Sequence, residues 1–178
     1  MSEIPRGRCE TRDGDTHLLR YVMELPHPAA DVWQAVATPD GLVGWLCAAD
    51  PFEPRLDGRV TLRWRNGGTE AEGRVTAWDP GYVAEYTVDP TTHGRIRFHV
   101  EHGPGGAGGS TVLRFTNEIR GDRAYRLDCL AGWHDHFERL AAALDGHRTE
   151  WAAWTPERWR HLRGLYERDE ARWPTWEP

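Results

Sequence analysis

The chain has 178 residues and a formal charge of −6, long enough for one domain with a sizeable core that needs neither disulfides nor a metal. The acidic balance excludes a broad nucleic-acid surface, which rests on clustered cations; all 22 basic residues are arginine, a usage read as GC-rich codon bias rather than phosphate binding. Cys9, Cys47 and Cys129 are odd in number and far apart, with no C-x-x-C or His/Cys cluster, so neither a disulfide framework nor a zinc site is indicated.

Residues 1–15 are polar and are expected to be loosely ordered and flexible. They contain no apolar stretch of the kind a signal peptide needs, and no run approaches the about 20 apolar residues that span a bilayer. The expected location is therefore the cytoplasm, where free thiols persist. From residue 16 to 25 the chain alternates, with Leu19, Tyr21, Met23 and Leu25 on one face and Arg20 and Glu24 on the other, the pattern of a half-buried strand. Two short helices follow, one over residues 31–37 and one from Pro39 to about Trp45-Leu46.

The middle of the chain predicts a run of strands separated by turns. Val60, Leu62 and Trp64 alternate with arginines before the Asn66-Gly67-Gly68 turn. Residues 72–78 form the next strand and end at Asp79-Pro80-Gly81. Tyr82, Ala84, Tyr86 and Val88 keep period two, as do Ile96, Phe98 and Val100, and residues 103–109 make a glycine-rich hairpin loop. Leu113, Phe115 and Asn117 then share one face. Each strand has an apolar and a charged side, which marks an antiparallel sheet solvated on one face, and the consecutive strands between helical ends imply an α+β fold.

The clearest element is a long amphipathic helix, roughly residues 126–144, with Leu130, Trp133, Phe137, Leu140 and Leu144 in one stripe and Gly146 as its left-handed stop. Burying five such side chains contributes about 8–15 kcal/mol before chain entropy, and the uncharged side of the sheet is the apolar surface available to receive them. Beyond it, residues 147–178 hold Trp151, Trp154, Trp159, Trp173 and Trp176, and Thr155-Pro156-Glu157 opens a further helix that reaches about Arg172. The domain layout expected is thus a flexible start at 1–15, a main domain at 16–146 and a Trp-rich helical extension at 147–178.

This order of elements is that of the helix-grip fold, a curved antiparallel sheet wrapped around a long C-terminal helix, and specific residues strengthen the match. Leu25-Pro26-His27-Pro28-Ala29-Ala30-Asp31-Val32-Trp33 resembles a "strand, Pro-Ala-x-x-Val-Trp" opening, and Thr38-Pro39-Asp40-Gly41-Leu42 with Gly44-Trp45-Leu46 resembles a second helix. Gly73-Arg74-Val75 with Trp78-Asp79-Pro80 is similar to a strand-turn signature, and the run from Gly132 to Leu140, Gly-Trp-His-Asp-His-Phe-Glu-Arg-Leu, resembles the start of the long helix. Together they look like the SRPBCC (START-like) superfamily, in the branch related to the C-terminal domain of the Hsp90 ATPase activator, over about residues 16–146. The resemblance implies a cavity between helix and sheet that holds hydrophobic ligands such as lipids, polyketides, plant hormones or aromatic compounds, and in some members a cyclase or aromatase activity.

The side chains expected to line such a cavity are Trp45, Trp64, Tyr86, Phe98, Phe115, Leu130, Trp133 and Phe137, for each of which plain core packing is the alternative. His134, beside the stripe, is the weak candidate for a general acid or base at a pocket mouth near Trp133, against a simple surface or rim histidine. Asp135 and His136 lie further round the helix, so His134-x-His136 is not a metal pair. Asn117 shares parity with Phe115 and is the second weak candidate, as a polar group pointing inward, whereas Glu85 should be solvated. No nucleophile elbow, phosphate-binding loop or metal motif is present, and no cofactor is expected.

Three functions from different classes follow. The favoured one is a binding module for a hydrophobic or aromatic small molecule; the second is a polyketide cyclase or aromatase using the same cavity. The third is a chaperone co-factor or other interaction module, motivated by the tryptophans of residues 147–178, which either form a homodimer interface or fold back on the domain. No membrane insertion and no nucleic-acid partner are expected.

Overall fold

Apolar and charged residues in alternation can be extended only where one side of the strand is covered, and the structure shows what covers it. The computed structural model of the chain describes residues 3–89 and 93–170. In Thr16–Leu25 (β2) the inward Leu19, Tyr21, Met23 and Leu25 are all buried, while Arg20, Val22 and Glu24 face water. Arg59–Trp64 (β4), Glu70–Asp79 (β5), Val83–Val88 (β6), Arg95–His102 (β7) and Thr111–Arg120 (β8) follow the same rule. With Arg8–Arg12 (β1) and Cys47–Phe52 (β3) they form, among the described residues, an eight-stranded antiparallel sheet in the order β1-β2-β8-β7-β6-β5-β4-β3.

Two of these strands lie outside the sequence expectation. Arg8–Arg12 belongs to the stretch read as flexible, yet it pairs along its whole length with β2, and Ile4 and Cys9 are buried beside it. Its charged alternation carries little apolar signal, so its order comes from the ladder that β2 offers. The strand Cys47–Phe52 pairs with β4 and closes the opposite edge of the sheet. Its small and polar residues have no recognisable period.

The outer face of the sheet holds cross-strand ion pairs, among them Arg95–Glu118 at 3.0 Å and Arg114–Glu101 at 2.9 Å. Such exposed pairs contribute at most about 1 kcal/mol each and serve mainly to keep the face wet. Glu85 departs from the solvated position expected for it: it is 7% exposed, with its oxygens held by Thr76 at 2.8 Å and Arg97 at 3.0 Å. The neighbouring side chains cover its carboxylate and supply the bonds that water would otherwise supply.

The inner face receives Arg123–Leu144 (α3), three residues longer at its start than the sequence pattern predicts because Asp122 caps it, accepting from the Tyr125 N–H at 2.8 Å. At the other end Gly146 adopts φ +90°, His147 N–H bonds the Ala142 carbonyl at 2.8 Å and Gly146 N–H bonds that of Ala143 at 3.0 Å, a full Schellman stop. Leu127, Leu130, Phe137 and Leu140 are wholly buried against the sheet. Phe115 of β8 is the hub, with ring centroids 4.3 Å from Trp133, 4.9 Å from Phe137 and 5.2 Å from Phe98.

Two small helices, Ala29–Ala37 (α1) and Pro39–Leu42 (α2), close one end. Thr38 caps α2, accepting from Gly41 N–H at 3.0 Å, and a side chain at Gly41 would strike the Gln34 carbonyl, so only glycine allows the two helices to meet this closely. The turn after α2 delivers Trp45 into the core, where its indole N–H bonds the Ala35 carbonyl at 2.9 Å. No helix among the described residues is long and apolar enough to cross a membrane.

Glu157–Asp169 (α4) lies across the other side of α3 and buries Leu162 and Tyr166. Arg172, where the sequence pattern ends this helix, lies outside the described residues, as do Trp173 and Trp176. Burial of Leu162 and Tyr166 contributes roughly 1.5–3 kcal/mol each, more than the ion pairs around them, Arg158–Glu138, Arg163–Asp128 and Glu170 with Arg123 and Arg126. The pairs set register instead. Beneath α4 the Tyr21 hydroxyl donates to the Leu130 carbonyl at 2.6 Å, so the Tyr166 hydroxyl donates to Tyr21 at 3.0 Å and itself accepts from Gly7 N–H at 2.9 Å and His134 Nδ1–H at 2.8 Å.

Phe115→Ala removes the hub and should cost about 3–5 kcal/mol in chemical denaturation. Tyr166→Phe keeps the shape but leaves the Gly7 and His134 donors without an acceptor, for an expected loss of about 1–3 kcal/mol by the same measurement.

Candidate functional site

The ring cluster around Phe115 fills the space under the C-terminal half of α3. Under its N-terminal half the packing opens into a cavity of about 340 Å³. The turn between β4 and β5 supplies Trp64, Asn66 and Thr69; the connection from β6 to β7 supplies His93, and β8 supplies Asn117. The rest of the wall is one stripe of α3, Tyr125, Asp128, Cys129, Gly132, Trp133 and His136, which recur at helical spacing on the flank of the apolar seam.

Most polar groups of this wall are committed to the protein. Asn117 donates both amide protons, to the His93 carbonyl at 2.6 Å and the Arg95 carbonyl at 3.1 Å, and accepts from the Trp133 indole N–H at 2.8 Å. It therefore positions the His93 connection and the Trp133 ring, with no proton left to donate. Asp128 accepts from Arg163 of α4 at 2.6 Å, and its carbonyl accepts from the Trp159 indole at 3.2 Å, so α4 buttresses the cavity rim. The His93 ring stacks on Trp64 with centroids 3.8 Å apart and planes 9° from parallel, which joins two otherwise separate loops over the opening.

His136 is placed differently. Its Nδ1–H donates to the Trp45 carbonyl at 3.0 Å, which fixes the neutral tautomer and leaves Nε2 as an acceptor on the side of Asn66, whose amide nitrogen stands 3.5 Å away. Burial pushes the His136 pKa down to about 4, and burial together with the nearby His136 charge pushes that of His93 down to about 4. Burial raises the Cys129 thiol to about 12 and also raises the Tyr125 phenol, so neither ionises near neutral pH. Among the described residues no group of three or more His, Cys, Asp or Glu side chains is arranged to hold a metal ion.

Of the side chains read from the sequence, Trp64, Trp133 and Asn117 line the cavity. Trp45, Tyr86, Phe98, Phe115, Leu130 and Phe137 are buried core that packs around one another away from it. His134 sits on the far side of α3 under α4, bonded to Tyr166, and burial lowers its pKa. Its expected place at the pocket mouth belongs to His136, two positions on. The helix angle between them is about 200°, so α4 claims one and the cavity the other. His93, Tyr125, Asp128, Cys129, Gly132 and His136 lie off the apolar seam and were missed for that reason; a second helical period flanking the first was the signal available.

Both cavity imidazoles are neutral when folded with pKa values near 4, below the 6.5 of the unfolded chain. Between those values the unfolded state binds more protons, so stability should fall as pH drops from about 6.5 to 4, by up to roughly 1.4 kcal/mol per unit for one imidazole and less than twice that for the interacting pair, and stay level through neutral pH. Denaturation midpoints across this range check it, and His136→Asn should flatten the slope.

Among solved structures the fold is similar to EF2215, a conserved protein of unknown function from Enterococcus faecalis, at 15% identity over 95% of this chain and 92% of that one, with TM-score 0.68. CalU16 from Micromonospora echinospora matches at 12% identity over 94% and 98%, with TM-score 0.67. DynU16, from the dynemicin biosynthetic locus, matches at 18% identity over 74% of this chain and 48% of its own, with TM-score 0.62. No curated protein matches. Residues 26–145 match the family model described as Activator of Hsp90 ATPase homolog 1-like protein, covering the two small helices, the six strands β3 to β8 and α3. With that match and the helix-grip architecture together, the chain belongs to the Activator of Hsp90 ATPase homolog 1-like family of the SRPBCC type.

Proposed function

We propose that this chain is a binding module for an apolar, aromatic small molecule seated in the cavity under the N-terminal half of α3. The observation that supports this is the contrast along one helix: rings fill the space at Phe137, whereas about 340 Å³ stays open between Trp64, Tyr125 and Trp133. That volume lies within the roughly 300–1,000 Å³ of small-molecule sites, and its aromatic walls with few uncommitted polar groups have their composition. The shared fold with DynU16, a protein of a biosynthetic locus, is compatible with a role beside small-molecule chemistry.

A cyclase or aromatase in the same cavity is the second reading, and the imidazole of His136 on the wall, oriented by the Trp45 carbonyl, is what favours it. With a pKa near 4 that imidazole is a weak base at neutral pH, and general bases work best near the working pH, which weighs toward binding. A dimer through residues 147–178 is weaker still, because Trp151, Trp159, Leu162 and Tyr166 are spent on contacts within the chain.

Titration with fused-ring aromatics should give saturable quenching of tryptophan fluorescence and a raised melting temperature. Trp64→Ala should weaken binding by about tenfold or more, a 1.4 kcal/mol effect. Gly132→Leu should block it without loss of stability, since a Cβ at Gly132 meets nothing closer than 4.0 Å and helical glycine itself costs about 0.5–1 kcal/mol. If both variants bind as the parent does, the ligand lies elsewhere and the reading falls.

A further inference from the structure

A cavity selects its ligand by the polar groups that the protein has not already used. On this wall the Trp133 N–H is taken by Asn117, both amide protons of Asn117 and one lone pair of its oxygen are taken, the Asp128 carboxylate is held by Arg163, and the His93 Nδ1, which has no hydrogen-bond partner among the described residues, belongs to a ring stacked on Trp64. The N–H of His136 is taken by the Trp45 carbonyl, so the imidazole cannot offer a donor to a guest without breaking that bond. Its Nε2 lone pair has only the Asn66 amide at 3.5 Å, well beyond the roughly 2.9–3.0 Å of a good N–H bond. His136 is 5% exposed, so this acceptor lies where bulk water does not easily satisfy it. Asn66, on a turn, can swing away, whereas His136 is locked by its helix and by Trp45.

We propose that the cavity selects a planar aromatic bearing a hydroxyl, phenolic or enolic, which donates its proton to Nε2 of His136 while the rings lie against Trp64 and Trp133. This rests on the binding reading above and adds the chemical class of the ligand. A buried acceptor met only by a long bond to Asn66 leaves free energy that a well-placed donor recovers, and an ether of the same shape, which offers no proton, cannot recover it. Selectivity here is therefore for a donor.

The test uses the full chain with 2-naphthol, 2-methoxynaphthalene and naphthalene as probes, followed by tryptophan quenching. The expected result is that 2-naphthol binds about tenfold or more tightly than its methyl ether. His136→Asn places an amide donor where Nδ1–H stood, keeping the Trp45 bond but removing the Nε2 acceptor, and should erase that preference while naphthalene binds as before. Equal affinity of 2-naphthol and its ether for the parent chain overturns the proposal and leaves the binding reading intact; failure of all three probes overturns both. Should His136→Asn not fold, the 15N resonance of His136 Nε2 in the parent chain decides. A shift on adding 2-naphthol and none with the ether upholds the proposal, and no shift with either overturns it.

Discussion

The structure turns on one constraint: α3 is covered on two sides, and three consecutive polar residues, His134, Asp135 and His136, are carried inside with it. Burying polar groups without partners would cost several kcal/mol, so each must find one, and each finds it in a different direction. His134 bonds Tyr166 of α4; Asp135 takes Arg139 one turn on at 3.1 Å; His136 bonds the carbonyl of Trp45 beyond α2. The Asp135–Arg139 pair stays within the helix, but the bonds of His134 and His136 leave it about 200° apart and pin its rotation as well as its position. The seam of Leu130, Phe137 and Leu140 holds α3 to the sheet, and the two histidines decide which way it faces.

That rotation creates the cavity. With the seam set on Phe115 and Phe98, the flank carrying Tyr125, Cys129, Gly132 and His136 is turned toward the β4–β5 turn and the His93 connection. Gly132 places no side chain where the opening is. Asn117 then ties the strand, the His93 backbone and the Trp133 ring into one rigid wall. A polar residue at the edge of an aromatic core thus works through geometry, holding other groups in place.

The C-terminal addition, outside residues 26–145 of the family match, is part of the same arrangement. α4 seals the side of α3 that would otherwise expose His134 and Ala131, and its Arg163 and Trp159 reach Asp128 on the cavity rim. The tryptophans there have polar assignments of their own: Trp151 bonds the Val43 carbonyl and lies 6.0 Å from the Arg139 guanidinium, so the segment is stitched across both ends of α3. Its tryptophans serve intramolecular packing to that extent.

Strands β2 and β4 through β8, the long helix and the helix-grip order were legible in the sequence because burial on one face imposes a period that local residues display. The stop of the long helix was legible too, in Gly146. Strands β1 and β3 were not, since edge strands with polar or small residues acquire their order from the neighbour that pairs with them. For the site, parity alone assigned Asn117 and Trp64 inward. It could not choose between His134 and His136, because on a helix enclosed from both sides the choice depends on where α4 docks and where Trp45 ends, contacts made by residues far apart in the chain. By itself the sequence determined which apolar faces must be buried; only the tertiary structure decided which polar groups face the cavity, because that depends on contacts between residues far apart in the chain.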